Sequence, residues 1–261
     1  MEGPSGNRRV FLRPVSRPAV FLCYYFAMPN MKSTFARISG IDAGQLQSTA
    51  ARMKKITFGM NSEEQVVAVD VEPNRLTAEV IVRREREVPA FDETKGALVR
   101  EKRYEYRSLF FVLDTELGVV STPGAKRDIS LFAELLKRAG ATAVEIADLI
   151  VDLPAWVREF MKMYDTAQLG QLVIDKLYVE PKLIGRYSAK TVDNRLDLKA
   201  IEDLPGMLKS VRFSFYHYDA RRGIEARADG VLNCSSSEEE ELDTFFREMV
   251  PVFLRHGIGE E

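Results

Sequence analysis

The sequence predicts an α+β fold in which two pseudo-symmetric repeats build one curved antiparallel sheet, covered on one face by long helices. Three observations predict it. Runs with period-two alternation recur in both halves, clearest where Leu76, Ala78, Val80 and Val82 alternate with Thr77, Glu79, Ile81 and Arg83. Each half closes on a helical stretch, DISLFAELLKRAG and SSSEEEELDTFFREMVPVFLRHG. Glycine turns precede the last strand of each half, and Gly118 and Gly230 lie 112 positions apart (230 − 118), nearly in step with Phe132 and Phe245 of the closing helices, 113 apart (245 − 132). A register of 105, which matches DTELG to DARRG, leaves the helices out of step.

Residues 1–30 differ from the rest. They hold Arg8, Arg9, Arg13 and Arg17 and an apolar run from Ala19 to Met28 that is too short for a bilayer and ends in no small-x-small cleavage site. They are expected to be a poorly structured extension. The first repeat, 31–140, begins with the strand STFARISG and the helix IDAGQLQSTAARMKKI, capped by Asp42. EQVVAVDVEP is a strand ended by Pro73, NRLTAEVIVRREREVPAF a long strand, and Asp92 to Gly96 a polar turn. ALVREKRYEYRSLFFVLD returns to the turn DTELG. A short strand then enters GVVSTPGAKRDI and the closing helix, for which Asp128 reads as N-cap and Gly140 as stop.

A helical connector, 141–165, is expected from ATAVEIADLIVDL and PAWVREFMKMY, with Pro154 in the first turn of its second piece. The second repeat, 166–261, reads as the strands LVIDKLYVEP and RYSAKTV, the short helix RLDLKAIEDLPGMLK, and the strand VRFSFYHYD. The turn ARRG follows, then the strands IEARADG and VLNC, and a helix capped by serines ahead of glutamates.

Composition supports a large packed core: 261 residues, 46% hydrophobic and 10% aromatic. Lys and Arg total 37 against 39 Asp and Glu, a formal charge of −2, so bulk charge selects no nucleic acid or membrane partner and any such contact needs a local patch. Two cysteines, Cys23 and Cys234, form neither a disulfide framework nor a metal cluster and point to a reducing, cytoplasmic setting.

The second half, from RLDLKAIEDLPGMLK to the closing helix, resembles a repeat of the TATA-binding protein family. Leu196 to Lys199, Pro205-Gly206 and Val250-Pro251 stand where that family has similar phrases, and Gly124-Ala125-Lys126 matches its turn before the long helix in the first half. The likeness covers about Ser33 to Gly257. It implies a saddle whose open sheet face meets nucleic acid, DNA first. The departures argue against TATA recognition itself. Val112 and Leu113 stand where a wedge pair belongs, Ser121 and Pro123 replace groove-contacting residues, and SSSEEE replaces the second Gly-Ala-Lys.

Alternation places Val211, Phe213 and Phe215 inside and leaves Arg212, Ser214, Tyr216 and Tyr218 outside, with Glu225 and Arg227 beside them. Arginine interleaved with tyrosine suits phosphate contact plus base stacking. The candidate nucleic-acid-binding residues are Arg83, Arg107, Lys126, Arg127, Arg212, Tyr216, Tyr218 and Arg227, with Arg107 assignable to either face. A protein partner meeting the mixed-charge face or a sheet edge is the alternative. No enzyme, cofactor, metal or membrane role is expected. His217 and His256 lack partners at metal spacing. Asp175, Glu180 and Lys182 only imitate a nuclease motif. GVVSTPGAKRDI has five residues between its glycines and no lysine directly after the second, so it fails as a phosphate loop.

Overall fold

The strand that opens the sheet in sequence stands at its middle in space. A computed structural model describes residues 30–59, 62–92, 94, 96–180, 183–190, 207–217, 220–238 and 240–258. Of the helix expected over 195–209, residues 195–206 lie outside the described residues and Met207 to Lys209 are strand; the candidate Tyr218 also lies outside the described residues. β1 (Asn30–Ser39) pairs along one edge with β5 (Val119–Thr122), and along the other with β12 (Val231–Ser236) and then β6 (Glu145–Asp148). Outward from β5 come β4 (Ala97–Asp114), β3 (Arg75–Asp92) and β2 (Glu64–Glu72). Outward from β12 come β11 (Ala220–Arg227), β10 (Met207–His217), β8 (Gln168–Glu180) and β9 (Leu183–Lys190). Every pairing is antiparallel and the sheet is open. With the helices below, this is the α+β class and the large antiparallel sheet that the sequence predicts.

Four helices lie among the described residues. α1 (Ala43–Met53) starts at a capping box in which the Asp42 carboxylate accepts from the Gln45 amide, and buries Leu46, Ala50 and Met53. α2 (Lys126–Arg138) buries Ile129, Phe132, Leu135 and Leu136. Its Asp128 is the third helical residue and not the N-cap, and reaches back to accept from the Ala125 N–H at 2.8 Å. α3 (Leu153–Met163) is capped by Asp152, with Pro154 in its first turn, and buries Trp156, Val157 and Phe160. α4 (Leu242–Leu254) buries Phe245, Met249 and Phe253.

Three local expectations are corrected. ATAVEIADLIVDL is not helical: β6 and β7 (Ile150–Val151) occupy it, because Ile146, Ile150 and Val151 are β-branched and the edges of β1 and of β13 (Gly257–Ile258) are there to pair with. ARRG is not a turn but the start of β11, paired with β10 from Ala220 onward. Ser235 and Ser236 end β12 and do not cap α4, whose N-cap is Glu241.

The larger correction concerns the helices. Residues directly opposite in an antiparallel sheet share a face, so side can be followed across the whole sheet from its register. Met31 pairs with Cys234, Cys234 with Ile224, and Ile224 with Phe213, all packed with α3 and α4. Ala36 pairs with Val120, Val120 with Leu113, and Leu113 with Leu76, all packed with α1 and α2. Met31 and Ala36 differ by an odd number of positions on β1, so they point to opposite faces. The helices therefore do not cover one face. α1 and α2 cover one side of the first half, and α3 and α4 cover the other side of the second. β1 serves both cores: Phe35 meets Phe253 of α4 at 6.0 Å, while Ala36 and Ile38 join the other cluster.

Two glycines hold β1 from either edge. Gly230 accepts from the Phe35 N–H at 2.8 Å and Gly118 from the Ile38 N–H at 3.0 Å, and both have positive φ, +77° and +60°. A Cβ on Gly230 would fall 2.8 Å from the Phe35 carbonyl oxygen, whereas one on Gly118 would meet only the Ile38 oxygen at 3.8 Å. Gly118→Ala should therefore lower unfolding free energy by about 1–2 kcal/mol from left-handed strain alone. Gly230→Ala should lower it by clearly more, as read from urea midpoints.

Candidate functional site on the open face of the second half

The uncovered side of the second half is built from the alternate residues of β10, β11 and β12. Arg212 stands opposite Glu225, Ser214 opposite Gly223, and Tyr216 opposite Arg221. The rows continue with Gly223 opposite Ser235 and Glu225 opposite Asn233, and Gln171 of β8 closes the Arg212 row on the other side. Gly223 is a mid-strand glycine with a steric reason: a Cβ there would fall 2.4 Å from the Ser235 hydroxyl. Its bareness, with that of Gly170 at a register shift in β8, leaves a depression of about 450 Å³ lined by Gln171, Arg212, Ser214, Arg221 and Ser235.

Among the described residues, neither Arg212 nor Arg221 meets an acid at ion-pair distance. Two exposed guanidiniums thus flank hydroxyls, an amide and bare backbone, a donor-rich set suited to an oxyanion. Tyr216, 63% exposed, presents its ring beside them. Arg227 lies on the same face but is held by Asp229, whose hydrogen bond pushes the guanidinium pKa further up despite partial burial.

Behind the depression sits a buried cation. Arg222 points to the covered side, bonded to the Ser236 hydroxyl and the Glu241 carboxylate and stacked over Phe245 at 5.6 Å. Cys234, under α4, has its thiol pushed up by burial and stays protonated.

The structure separates the other sequence candidates. Lys126 and Arg127 start α2, on the same side of the sheet as Arg212. Lys126 is paired with Asp148, and Arg127 is exposed. Arg107 is resolved to that side as well, but buried Asp128 engages it through both oxygens, at 3.1 and 2.6 Å. Arg83 is on the opposite side, stacked over Phe58 and Tyr104 at 5.1 and 4.9 Å. The sequence reading missed Arg221, which it placed in a turn. The signal that marks it is Gly223 inside an alternating run.

Among the described residues, no group of three or more His, Cys, Asp or Glu is placed to hold a metal, and no helix is long and apolar enough to cross a membrane. His217 packs against Tyr164 and Phe245. Asp175 is held below the usual carboxylate range by the Lys209 hydrogen bond and by the charges of Lys209 and Arg186; the Glu180 side chain and Lys182 lie outside the described residues.

No protein-family model matches this chain, and no curated protein is a significant match to it. The Arg222 ion pair gives a test of the platform beneath the depression. Glu241 is half-exposed but Arg222 is buried, so Glu241→Ala leaves a buried guanidinium without its carboxylate and should shift the urea midpoint downward, while Thr244→Ala, at an exposed position of the same helix, should leave it nearly unchanged.

Proposed function

We propose that this chain is a non-catalytic binding protein that contacts nucleic acid, DNA first, through the open face of its second half. The observation that carries the reading is the pair of exposed guanidiniums, Arg212 and Arg221, without an acid partner among the described residues, on either side of a trough of glycine and serine, with Tyr216 next to them. Phosphate oxygens suit the guanidiniums and hydroxyls, and an exposed tyrosine ring suits an unstacked base. Lys32 and Arg127 extend the positive side of the same surface, against Glu225 and the paired Asp229.

We also read the chain as two copies of one unit, consistent with the element order that the TATA-binding resemblance implies. From β1 outward the orders β5, β4, β3, β2 and β12, β11, β10, β8 correspond. Gly118 and Gly230 play equivalent parts, and in each half an arginine of the strand before last, Arg107 or Arg222, pairs with an acid opening the last helix. Under this reading the second unit begins near 141, with α3 as its first helix. The two units share an axis along β1, which gives two separate open faces in place of one saddle.

The alternative, a protein-interaction module, is favoured by the other open face. In the first half Asp70, Glu72, Glu79 and Asp114 outnumber Arg75 and Arg83, a surface that repels phosphate.

Anisotropy titration of labelled duplex and single strands, from about 50 to about 200 mM salt, tests the first reading. Each lost phosphate contact lowers the log–log salt slope by about one unit. Arg212→Glu with Arg221→Glu is expected to weaken binding at least tenfold and remove about two units of slope. Absence of salt-sensitive retention of a mixed DNA and RNA pool at low ionic strength sinks it. A protein complex that is lost with Arg212 or Tyr216 changes and indifferent to nucleic acid supports the alternative.

A further inference from the structure

The hairpin of β3 and β4 runs well past the rest of the sheet. β2 accompanies β3 only to Val82, with a last bond from the Arg83 N–H to the Glu63 carbonyl, and β5 meets β4 only from Val112, so from Arg84 to Asp92 and from Ala97 to Glu105 the two strands pair with each other alone. At about 3.4 Å per residue this ribbon is about 30 Å long. A two-stranded ribbon is marginally stable by itself in water, which makes what covers it a physical question.

Alternation sorts its side chains into two faces. One carries Arg84, Arg86, Arg103 and Glu105 toward its base and the smaller Val88, Ala90 and Val99 toward its tip. The other carries Tyr106, Tyr104, Pro89, Phe91 and Leu98, and four of these are exposed by 62%, 53%, 62% and 74% for Tyr106, Tyr104, Phe91 and Leu98. That apolar face is on the side of the first half left bare by α1 and α2. Most of its charge is cancelled in place: Lys102 bridges Glu85 at 2.6 Å and Arg100 bridges Glu87 at 3.4 Å, while Arg83 keeps its charge against the rings of Phe58 and Tyr104.

We propose that this face is the contact between two copies of the chain, laid antiparallel so that the Phe91–Leu98 row at each tip covers the Arg83–Tyr106 row at the base of the other. Charge selects the occupant first. The internal ion pairs leave an apolar surface with little net charge, a poor match for phosphate or a strongly charged partner and a good match for itself. Shape selects it next. Aromatic base and apolar tip lie at opposite ends, and a two-fold that reverses the ribbon brings each onto the other while sending the two bodies to opposite ends. The same reversal sets Arg100 over Tyr104 of the second copy, a cation–π geometry. Area agrees. Aromatic side chains bury about 150–250 Å² each, and three half-exposed rings per copy, with Leu98, Pro89 and the charged stems, bring two stacked faces to the roughly 1,000 Å² that a specific interface needs.

Sedimentation of the full chain from low to high micromolar concentration is the test. The expected result is a rise to the dimer mass, with self-association at least tenfold weaker in the double variant Phe91→Lys, Leu98→Lys, whose far-UV circular dichroism and urea midpoint stay unchanged. A second measurement fixes the geometry. In a Cys23→Ser background, Leu98→Cys and Tyr106→Cys chains mixed together should oxidise to the mixed disulfide faster than either alone. A wild-type chain that stays monomeric throughout, a double variant that still dimerises, or crosslinks that form preferentially between like positions would each overturn the proposal. So would a double variant that loses nucleic-acid binding while its self-association is unaltered.

Discussion

The alternation of side chains along β1 is the constraint on which the rest depends. A strand in a sheet offers one face to each side, and most strands here spend one on a core and the other on solvent. β1 spends both on cores. Met31 and Phe35 join the cluster under α3 and α4, and Ala36 and Ile38 the cluster under α1 and α2. Even its polar interior positions are tied down: the Ser33 hydroxyl donates to the Thr122 carbonyl and the Thr34 hydroxyl to the Gly124 carbonyl. Once both faces are buried, the two helical layers must lie on opposite sides. Each half then keeps an open face on the side where the other half has its helices.

The two open faces differ in electrostatics as well as in side. The first half presents Asp70, Glu72, Glu79 and Asp114 among its outward residues, and the second presents Lys32, Arg212, Arg221 and Arg227. A near-zero bulk charge therefore hides a separation of sign across the thickness of one sheet. The Arg107–Asp128 and Arg222–Glu241 pairs, each with one buried and one half-exposed partner, are neutralised internally and add little to either surface. They fix the starts of α2 and α4 over the strands beneath, and the long-range field belongs to the exposed groups.

Much of the fold was legible from period alone. The alternation at Leu76 to Val82 and at Val211 to Phe215 named the covered residues correctly, and the stripe at Ile129, Phe132, Leu135 and Leu136 named the buried face of α2. Period-two patterning labels in and out for each strand but does not say on which side of the sheet plane "in" lies. That is set by pairings of β1 with β5 and β12, which connect residues far apart in sequence, so an expectation of helices on one face had nothing local to correct it. ATAVEIADLIVDL misled for a related reason: its apolar spacing suits a helix, and only the waiting edges of β1 and β13 make it strand. At the candidate site Arg212 and Tyr216 followed from alternation. Arg221 did not, because a glycine after two arginines has the composition of a turn, and only cross-strand packing against Ser235 explains Gly223 in mid-strand.

The pairing of β1 has a consequence in time as well as in space. Of its two edges, one waits for β5 and the other for β12, and the Met31–Cys234 match spans roughly 200 residues, a loop closure of the slow, non-local kind. During synthesis the earliest strand of the sheet is thus among the last to be fully satisfied. The first half emerges with Met31 and Phe35 uncovered, and they stay so until the strand carrying Cys234 has left the ribosome. A chain released before that point would display an unprotected apolar edge, the condition under which nascent proteins recruit chaperones or aggregate.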